Sequence, residues 1–317
     1  MPDTQFGVVM INWNGAEDTI PALDSLVAAT PRPDRVVLID NGSEDNSLMR
    51  LRAWCDAKAP SWNESAPLAL DNIDNSAWLL LITADSNLGF SGANNVGLRY
   101  LAKSTSVTHM LLLNNDATVA PDFFAEMANA IHDWPHAGLL GCLIYRHPQR
   151  DQIWFAGSKE IPWRALINHV VDAPGTNDPF PARFVTGCAM VISRALYDAE
   201  GGMAEVYNPI YWEDADYSHR AIARGWRPMV VPRALVYHRV GASGSGERLT
   251  PRTAFLQNRN RAIYVRRNYR GPDRLLALGY LCATKPARAV VEIARGHGPL
   301  GSAIVRGFWR GMTQRLA

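Results

Sequence analysis

No stretch of this chain approaches the roughly 18 consecutive apolar residues that a bilayer-spanning helix needs. The longest candidate, Leu275 to Thr284, stops at Lys285-Pro286. Cysteine is scarce and scattered: Cys55, Cys142, Cys188 and Cys282 contain no Cys-x-x-Cys pair, which argues for buried free thiols in a reducing compartment. The N-terminus, Met1-Pro2-Asp3-Thr4-Gln5, has no basic region, and the apolar run after it is only strand length. No signal peptide is expected. Internal repeats and low-complexity tracts are absent. Also missing is the Gly-x-Gly-x-x-Gly turn of a nicotinamide-binding sheet; Asn12-Trp13-Asn14-Gly15 stands after the first strand instead, which argues against an oxidoreductase.

What is present is an ordinary folded composition, 47% hydrophobic and 20% charged, which excludes global disorder. The net charge of +2 conceals an asymmetry. From residue 251 onward, 13 Lys/Arg face only Asp273 and Glu292, whereas the preceding 250 residues hold 19 Lys/Arg against 28 Asp/Glu. The body is acidic and the tail basic.

Short β-rich runs alternate with helical patterns over residues 1–145, predicting a mainly parallel sheet covered on both faces. Phe6–Ile11, Arg35–Asp40, Trp78–Thr83 and His109–Leu113 are the expected strands. Ile20, Leu23, Leu26 and Val27, then Leu48, Leu51 and Cys55, recur at helical spacing. A further helix is expected over Ala93–Lys103, and Pro121 suits the first turn of the next. Ala57–Asn75 reads as an inserted polar loop, and Arg146–Pro181 as irregular. Phe184–Ser193 and Met229–His238 are predicted strands, with a helix over Asp214–Arg224 between them. Three parts result: residues 1–145, 146–250 and a basic, helical extension over 251–317.

Ligands of open α/β sheets bind beyond the carboxyl ends of the strands. Four polar clusters fall there: Asn12-Trp13-Asn14-Gly15, Asp40-Asn41-Gly42-Ser43, Asn87 to Asn95, and Asn114-Asn115-Asp116. Any one of them could be a plain turn; four at one edge form a candidate site. Glycines there let backbone N–H groups approach a phosphate or sugar. Asp116 ends a buried-looking run, and Trp212-Glu213-Asp214-Ala215-Asp216 places a second acidic cluster behind an aromatic lead-in. A carboxylate that holds a metal–phosphate, opposite one that takes a proton, points to group transfer from a phosphorylated donor.

Several runs together resemble the family 2 glycosyltransferases of GT-A fold, in particular their rhamnosyltransferase-like branch. They are Val9-Met10-Ile11-Asn12-Trp13-Asn14, Leu38-Ile39-Asp40-Asn41-Gly42-Ser43, Asn87-Leu88-Gly89-Phe90-Ser91-Gly92-Ala93-Asn94-Asn95-Val96-Gly97 and Leu111-Leu112-Leu113-Asn114-Asn115-Asp116. Gly187-Cys188-Ala189-Met190-Val191-Ile192-Ser193-Arg194, Trp212-Glu213-Asp214-Ala215-Asp216 and Tyr237-His238 follow in order. The likeness covers about residues 5–265. It implies an inverting, metal-dependent transferase moving a sugar from a nucleoside-diphosphate donor to a glycan or lipid-linked glycan in surface polysaccharide synthesis. The branch suggests dTDP-rhamnose; no motif fixes the donor.

The resemblance also implies roles. Asp40 accepts a hydrogen bond from the base, Asn12 lies beside that base, and Asn14, Gly42 and Ser43 of the same loops bind the donor. Asn87, Gly89, Phe90, Asn94 and Asn95 line the nucleotide–sugar pocket with Asn114 and Asn115. Asp116 occupies the metal end of an Asp-x-Asp-type motif whose first position is Asn114 here. One fewer negative charge should weaken direct cation binding, so Mg²⁺ or Mn²⁺ is expected to arrive with the diphosphate. His238 either completes the metal site, contacts the diphosphate or is a satisfied strand-end residue. Asp214 is the expected general base, with Glu213 raising its pKa by like-charge repulsion and Trp212 shielding it. The bland alternative is an acidic helix N-terminus. Asp216 and Arg220 have the spacing of an i,i+4 pair. Gly187–Arg194 should lie under the acceptor pocket, with Cys188 as packing, and His219 should be on the surface.

Arg259, Arg261, Arg266, Arg267 and Arg270 surround Ile263, Tyr264, Val265 and Tyr269, and Arg306, Arg310 and Arg315 lie near Phe308 and Trp309. Basic amphipathic helices with aromatics suit an anionic membrane surface, and a helical cap on the core is the alternative. Nucleic acid is not expected, because no recognisable nucleic-acid motif accompanies the charge. A cytoplasmic protein, peripheral on the inner face of the membrane, follows from these expectations. The competing class is a nucleotide-sugar-binding protein without catalysis.

Overall fold

The computed structural model describes residues 4–67, 76–239 and 249–316. The first half alternates strands and helices: β1 (Phe6–Asn12), α1 (Ala16–Ala28), β2 (Arg35–Asp40), α2 (Ser47–Lys58), β3 (Trp62–Ser65), β4 (Leu79–Thr83), α3 (Gly89–Lys103) and β5 (His109–Asn114). Then come β6 (Ala117–Val119), α4 (Phe123–Asp133), β7 (Leu139–Arg146), β8 (Ile153–Phe155), β9 (Ser158–Ile161), β10 (Leu166–His169) and β11 (Phe180–Pro181). The remainder is β12 (Ala189–Ser193), α5 (Arg194–Glu200), α6 (Glu213–Ala223), β13 (Met229–His238) and three C-terminal helices, α7 (Pro251–Asn268), α8 (Gly271–Ala294) and α9 (Gly298–Thr313).

One sheet runs through both halves in the order β11-β13-β7-β12-β5-β1-β2-β4-β3. Strands β3, β4, β2, β1 and β5 pair in parallel, and β12 pairs antiparallel with both β5 and β7. The sheet is buried on both faces because successive residues alternate sides. Val8, Met10, Leu111 and Leu113 pack with Leu23, Leu26, Phe123 and Phe124 on one face. Val9, Met110 and Leu112 pack with Ala93, Val96 and Leu101 on the other. A mainly parallel sheet with helices on both faces is what the patterning predicts and what the chain forms, followed by the expected helical C-terminal extension.

Several expectations need correction. The stretch over Ala57–Asn75 contains the parallel edge strand β3, although residues 68–75 lie outside the described ones. Pro121 precedes α4, which begins at Phe123 after Asp122. Arg146–Pro181 carries four short strands, two of them forming the separate β9–β10 hairpin. The predicted strand Phe184–Ser193 shrinks to Ala189–Ser193, because side chains capture the backbone N–H groups ahead of it. Phe184 donates to Ser158 Oγ, Val185 to Ser218 Oγ and Gly187 to Asp214 Oδ2 (2.7, 3.1 and 3.0 Å). Cys55, Cys142 and Cys188 are buried free thiols, but Cys282 is exposed.

Helix α7 packs lengthwise on α9. Any side chain at Gly307 would collide with the Phe255 backbone, so glycine lets the two helices approach. Among the described residues no helix is long and apolar enough to cross a membrane.

Candidate active site

A cleft of about 510 Å³ opens at the carboxyl edge of β1, β2 and β5. Register brings the polar ends together: Asn12 pairs with Asp40, and Ile11 with Asn114. Of the expected residues, Asn14, Asn87, Gly89, Phe90, Asn94, Asn114, Asn115, Asp116 and Gly187 line this cleft.

Asn12, Asp40 and Ser43 form the layer beneath. Asn12 is fully buried; its amide donates to Asp40 Oδ1 (2.7 Å) and Ser43 Oγ (3.1 Å) and accepts from Thr19 Oγ1 (2.7 Å). Ser43 Oγ also donates to Asp40 (2.6 Å) and accepts from the Asn14 N–H (2.9 Å). These bonds fix the loops after β1 and β2 against each other. Gly42 permits the turn: its φ is +72°, and a Cβ there would lie 2.6 Å from the Ser86 carbonyl carbon. Asn41 links that turn to the next loop, donating to Asn87 Oδ1 (3.2 Å) and accepting from the Leu88 N–H (2.9 Å). Asn95 is a buried clamp on the segment before α6, bonded to both the N–H and the carbonyl of Met203 (2.8 and 2.9 Å).

Asp116 sits 3.1 Å from His238 Nε2, and both are buried. Burial alone would push the imidazole down, but its neighbours Cys188 and Asp116 outweigh that and raise it. Burial holds the Cys188 thiol protonated, so Asp116 is the partner behind the upward direction. Cys188 thus has an imidazole beside it yet stays a buried thiol, as its packing role implies. Among the described residues no three His, Cys, Asp or Glu side chains converge as a metal cage. One carboxylate and one imidazole fit a divalent cation that takes the rest of its shell from phosphate and water oxygens. Binding one would displace the histidine proton.

Asp214 lies behind Gly187, which lines the cleft; Asp214, Glu213 and Trp212 are not themselves among the lining residues. Its Oδ2 accepts from the Gly187 N–H (3.0 Å) and its Oδ1 from the Ala215 N–H (2.8 Å). Gly187 is held near Asp116 because the neighbouring Cys188 carbonyl accepts from the Asn114 N–H (2.9 Å). Burial lifts the Asp214 carboxyl above the ordinary range, against the pull of its backbone donors. Glu213 rises further, first from burial and then from Asp214. Burial is the leading cause of the upward direction in both acids.

The loop feeding these acids is strained. Tyr211 and Trp212 have φ of +85° and +79°, which costs non-glycine residues about 1–3 kcal/mol each. Helix α7 stabilises that shape. Buried Asn260 Nδ2 lies 2.8–2.9 Å from the carbonyls of Tyr207, Ile210 and Tyr211, and Arg259 Nη2 reaches those of Tyr207 and Asn208. The Trp212 ring packs on Tyr264, 5.1 Å between centroids. His219, expected on the surface, is half-buried against Tyr264 and Tyr269. Helix α7 also enters the cleft, with Thr250, Arg252, Thr253 and Leu256 in its lining. Neither the α7 contribution nor the Pro209–Tyr211 wall carries a motif. The only signal was the polar Asn258-Arg259-Asn260-Arg261 run inside an otherwise amphipathic helix.

Comparisons with known proteins give a family, curated relatives and a shared fold. The model of glycosyl transferase family 2 matches residues 7–199. The N-acetylglucosaminyl-diphospho-decaprenol L-rhamnosyltransferase of Mycobacterium tuberculosis is 26% identical over 256 residues, 73% of this chain and 75% of that protein. The low-salt glycan biosynthesis hexosyltransferase Agl10 of Haloferax volcanii is 21% identical over 222 residues, 68% of this chain and 60% of that protein. Among solved structures, GalNAc-T7 with UDP, GalNAc and Mn²⁺ superposes with a TM-score of 0.62 at 15% identity, covering 83% of this chain and 48% of that one. The mannosyltransferase PcManGT from Pyrobaculum calidifontis, in complex with GDP-Man and Mn²⁺, gives 0.55 at 15% identity over 98% and 88% of the two chains.

Proposed function

The chain belongs to glycosyl transferase family 2, and on that premise we propose that it is an inverting, divalent-metal-dependent enzyme acting on a lipid-linked glycan. A deoxyhexosyl donor, dTDP-rhamnose first, is the one to test, because the mycobacterial relative is a rhamnosyltransferase of a diphospho-decaprenol glycan. The carrying observation is that Asp116 lines the cleft while Asp214 hangs on Gly187 in the wall of that cleft.

Asp116 and His238 would hold Mg²⁺ or Mn²⁺, the latter being the ion found with GalNAc-T7 and PcManGT. When bound, the cation neutralises charge building on the leaving diphosphate. The asparagines and backbone N–H groups of the loops after β1, β2 and β4 orient the nucleoside and sugar. The Asp214 carboxylate takes the proton of the acceptor hydroxyl. That oxygen bonds to the anomeric carbon from behind as the bond from carbon to phosphate oxygen breaks, and the nucleoside diphosphate departs. Attack from the rear inverts the centre. Partial burial of Asp214 supports this role, since a carboxylate held above its usual range is a better base once ionised.

A thermal-shift screen of nucleoside-diphosphate sugars with and without Mn²⁺ tests the proposal. The true donor at about 100 times its Kd should stabilise the fold by about 2.7 kcal/mol, with the gain depending on the cation. No stabilisation by any donor, or an equal shift without metal, would overturn it. Consumption of the stabilising donor when acceptor is added separates an enzyme from a binding protein.

A further inference from the structure

Three half-buried cations, Arg164, Arg261 and Lys285, lie between helix α7, helix α8 and the turn Pro162–Arg164. Arg164 donates from Nε to Tyr280 Oη of α8 (3.3 Å), and its guanidinium lies over the Trp163 and Tyr280 rings at 5.6 and 5.5 Å. Arg261 of α7 donates to the carbonyls of Ala165 and Arg164 (2.9 and 2.6 Å). Lys285 stands one turn from buried Leu281 and one turn from buried Ala289, on the inner side of α8. Arg261 is close enough to repel both Lys285 and Arg164.

Like charges gathered away from water are stabilised by an anion, and no carboxylate acts on Arg261 or Lys285. Helices α7 and α9, strand β10 and the turn contain no Asp or Glu. Glu160 of β9 is taken by Arg183, Tyr264 and Tyr269, and Glu292 of α8 by Arg288 and His297. Asp273, in the first turn of α8, lies about 18 Å before Lys285 at 1.5 Å per residue. Burial, Arg261 and Arg288 accordingly pull the Lys285 ammonium down to about 7.

Spare donors remain on all three side chains. Both Nη atoms of Arg164, Nη1 of Arg261 and Nζ of Lys285 have no acceptor among the described residues. The two guanidiniums are already held in place by carbonyls, a hydroxyl and aromatic rings, so little side-chain freedom is lost when they bind. Fixed guanidiniums beside an ammonium suit an anion with several oxygens and more than one charge, which is the chemistry of phosphate.

We infer that Arg164, Arg261 and Lys285 form a binding site for a phosphate or diphosphate group. It lies outside the cleft: Arg261 is about 7.5 Å of helix rise beyond Leu256, which lines the cleft. The site stands or falls independently of the two carboxylates proposed for catalysis.

Calorimetry on the full chain in EDTA, which removes the cation proposed for the cleft, tests the site with inorganic phosphate, inorganic pyrophosphate and phosphatidylglycerol vesicles. Pyrophosphate should bind, and Lys285→Met should weaken it about tenfold or more. Without ligand, Lys285→Met should melt at the same temperature or higher, because a crowded charge has been removed. Lys285→Glu should melt higher still and abolish binding, since it supplies the acid that the cluster lacks. Tighter binding of pyrophosphate than of phosphate assigns a diphosphate, and equal binding a single phosphate. Binding to vesicles alone, lost in both variants, assigns a phospholipid headgroup, and all three results support the phosphate site. Failure of all three probes to bind overturns it, as does an equal response to chloride at matched ionic strength. Binding retained by Lys285→Glu, or a lower melting temperature of ligand-free Lys285→Met, overturns it as well.

Discussion

Helices α7 and α8 treat charge and apolarity in opposite ways. Helix α7 turns its arginines inward: Arg261 donates to the Ala165 and Arg164 carbonyls (2.9 and 2.6 Å), Arg266 to those of Gly311 and Gln314 (2.7 and 2.8 Å), and Arg267 to Asp216 (3.1 Å). Helix α8 turns leucine, valine and isoleucine outward. The difference lies in what the body offers each helix. Against α7 it presents a buried carboxylate and a strained loop rich in unpaired carbonyls, which recruit cations and amides. Against the outer side of α8 it presents nothing. A basic composition therefore does not say which way a helix points its charges.

The joint between body and α7 breaks most severely at Asp216. Its fully buried carboxylate accepts from Tyr207 Oη, Arg220 Nε, Arg267 Nε and Asn268 Nδ2 at 2.8–3.1 Å. Asp216→Ala removes a fully buried carboxylate from four donors at once, leaving Arg220 with Glu200 alone as its acidic partner. It should cost about 3–5 kcal/mol, read from urea unfolding. A loss below 1 kcal/mol would mean that the joint behaves as a surface ion pair.

Asn260→Leu comes next. It keeps the volume but strands the carbonyls of Ile210 and Tyr211, leaving Tyr207 to Arg259, at about 2–3 kcal/mol. Because those carbonyls shape the loop ahead of Asp214, kcat should fall more than donor affinity does. Equal effects on both would make α7 a mere cap.

The smallest effect sharpens the contrast between neighbouring acids on α6. Asp216 is fully partnered, whereas Glu213 is buried with Oε2 lacking a hydrogen-bond partner among the described residues. A carboxyl whose folded pKa is raised binds its proton more tightly in the folded state. Its stability contribution is full below the unfolded pKa and is lost as pH rises through the folded one. Glu213→Gln should therefore flatten the decline in stability that begins as pH rises past the ordinary carboxyl range, followed by thermal melts across pH. On the proposed mechanism the acid limb of the pH–rate profile reports Asp214, which has to be ionised to act as base, so that limb should stay in place in the variant. A shifted limb would restore like-charge tuning by Glu213.

Much of the first half was legible because parallel strands buried on both faces read as continuous apolar runs ending in polar clusters. Arg35–Asp40 was placed to the residue, and Asn14, Asn87, Asn94 and Asp116 reach the cleft as their strand-end positions implied. Strand β3 was hidden because Trp62-Asn63-Glu64-Ser65 is a polar edge with no alternation to reveal it. The buried roles of Asn12 and Asn95 were hidden for another reason. A hydrogen-bonded clamp and a ligand-binding amide use the same residue, and only packing tells which one it is. The Pro209–Tyr211 wall and the α7 lining join the cleft through contacts some fifty residues apart in sequence, such as Asn260 to Tyr211. No local pattern encodes those.

The most direct measurement compares Asp116→Asn and Asp214→Asn side by side, titrating the stabilising donor by calorimetry with Mn²⁺ and assaying transfer to acceptor. Asp214→Asn should bind donor nearly as wild type yet lose transfer by about a thousandfold or more, whereas Asp116→Asn should lose the metal-dependent part of donor binding itself. Undiminished turnover by Asp214→Asn, or metal-dependent donor binding that survives in Asp116→Asn, would contradict the division of labour between the two carboxylates.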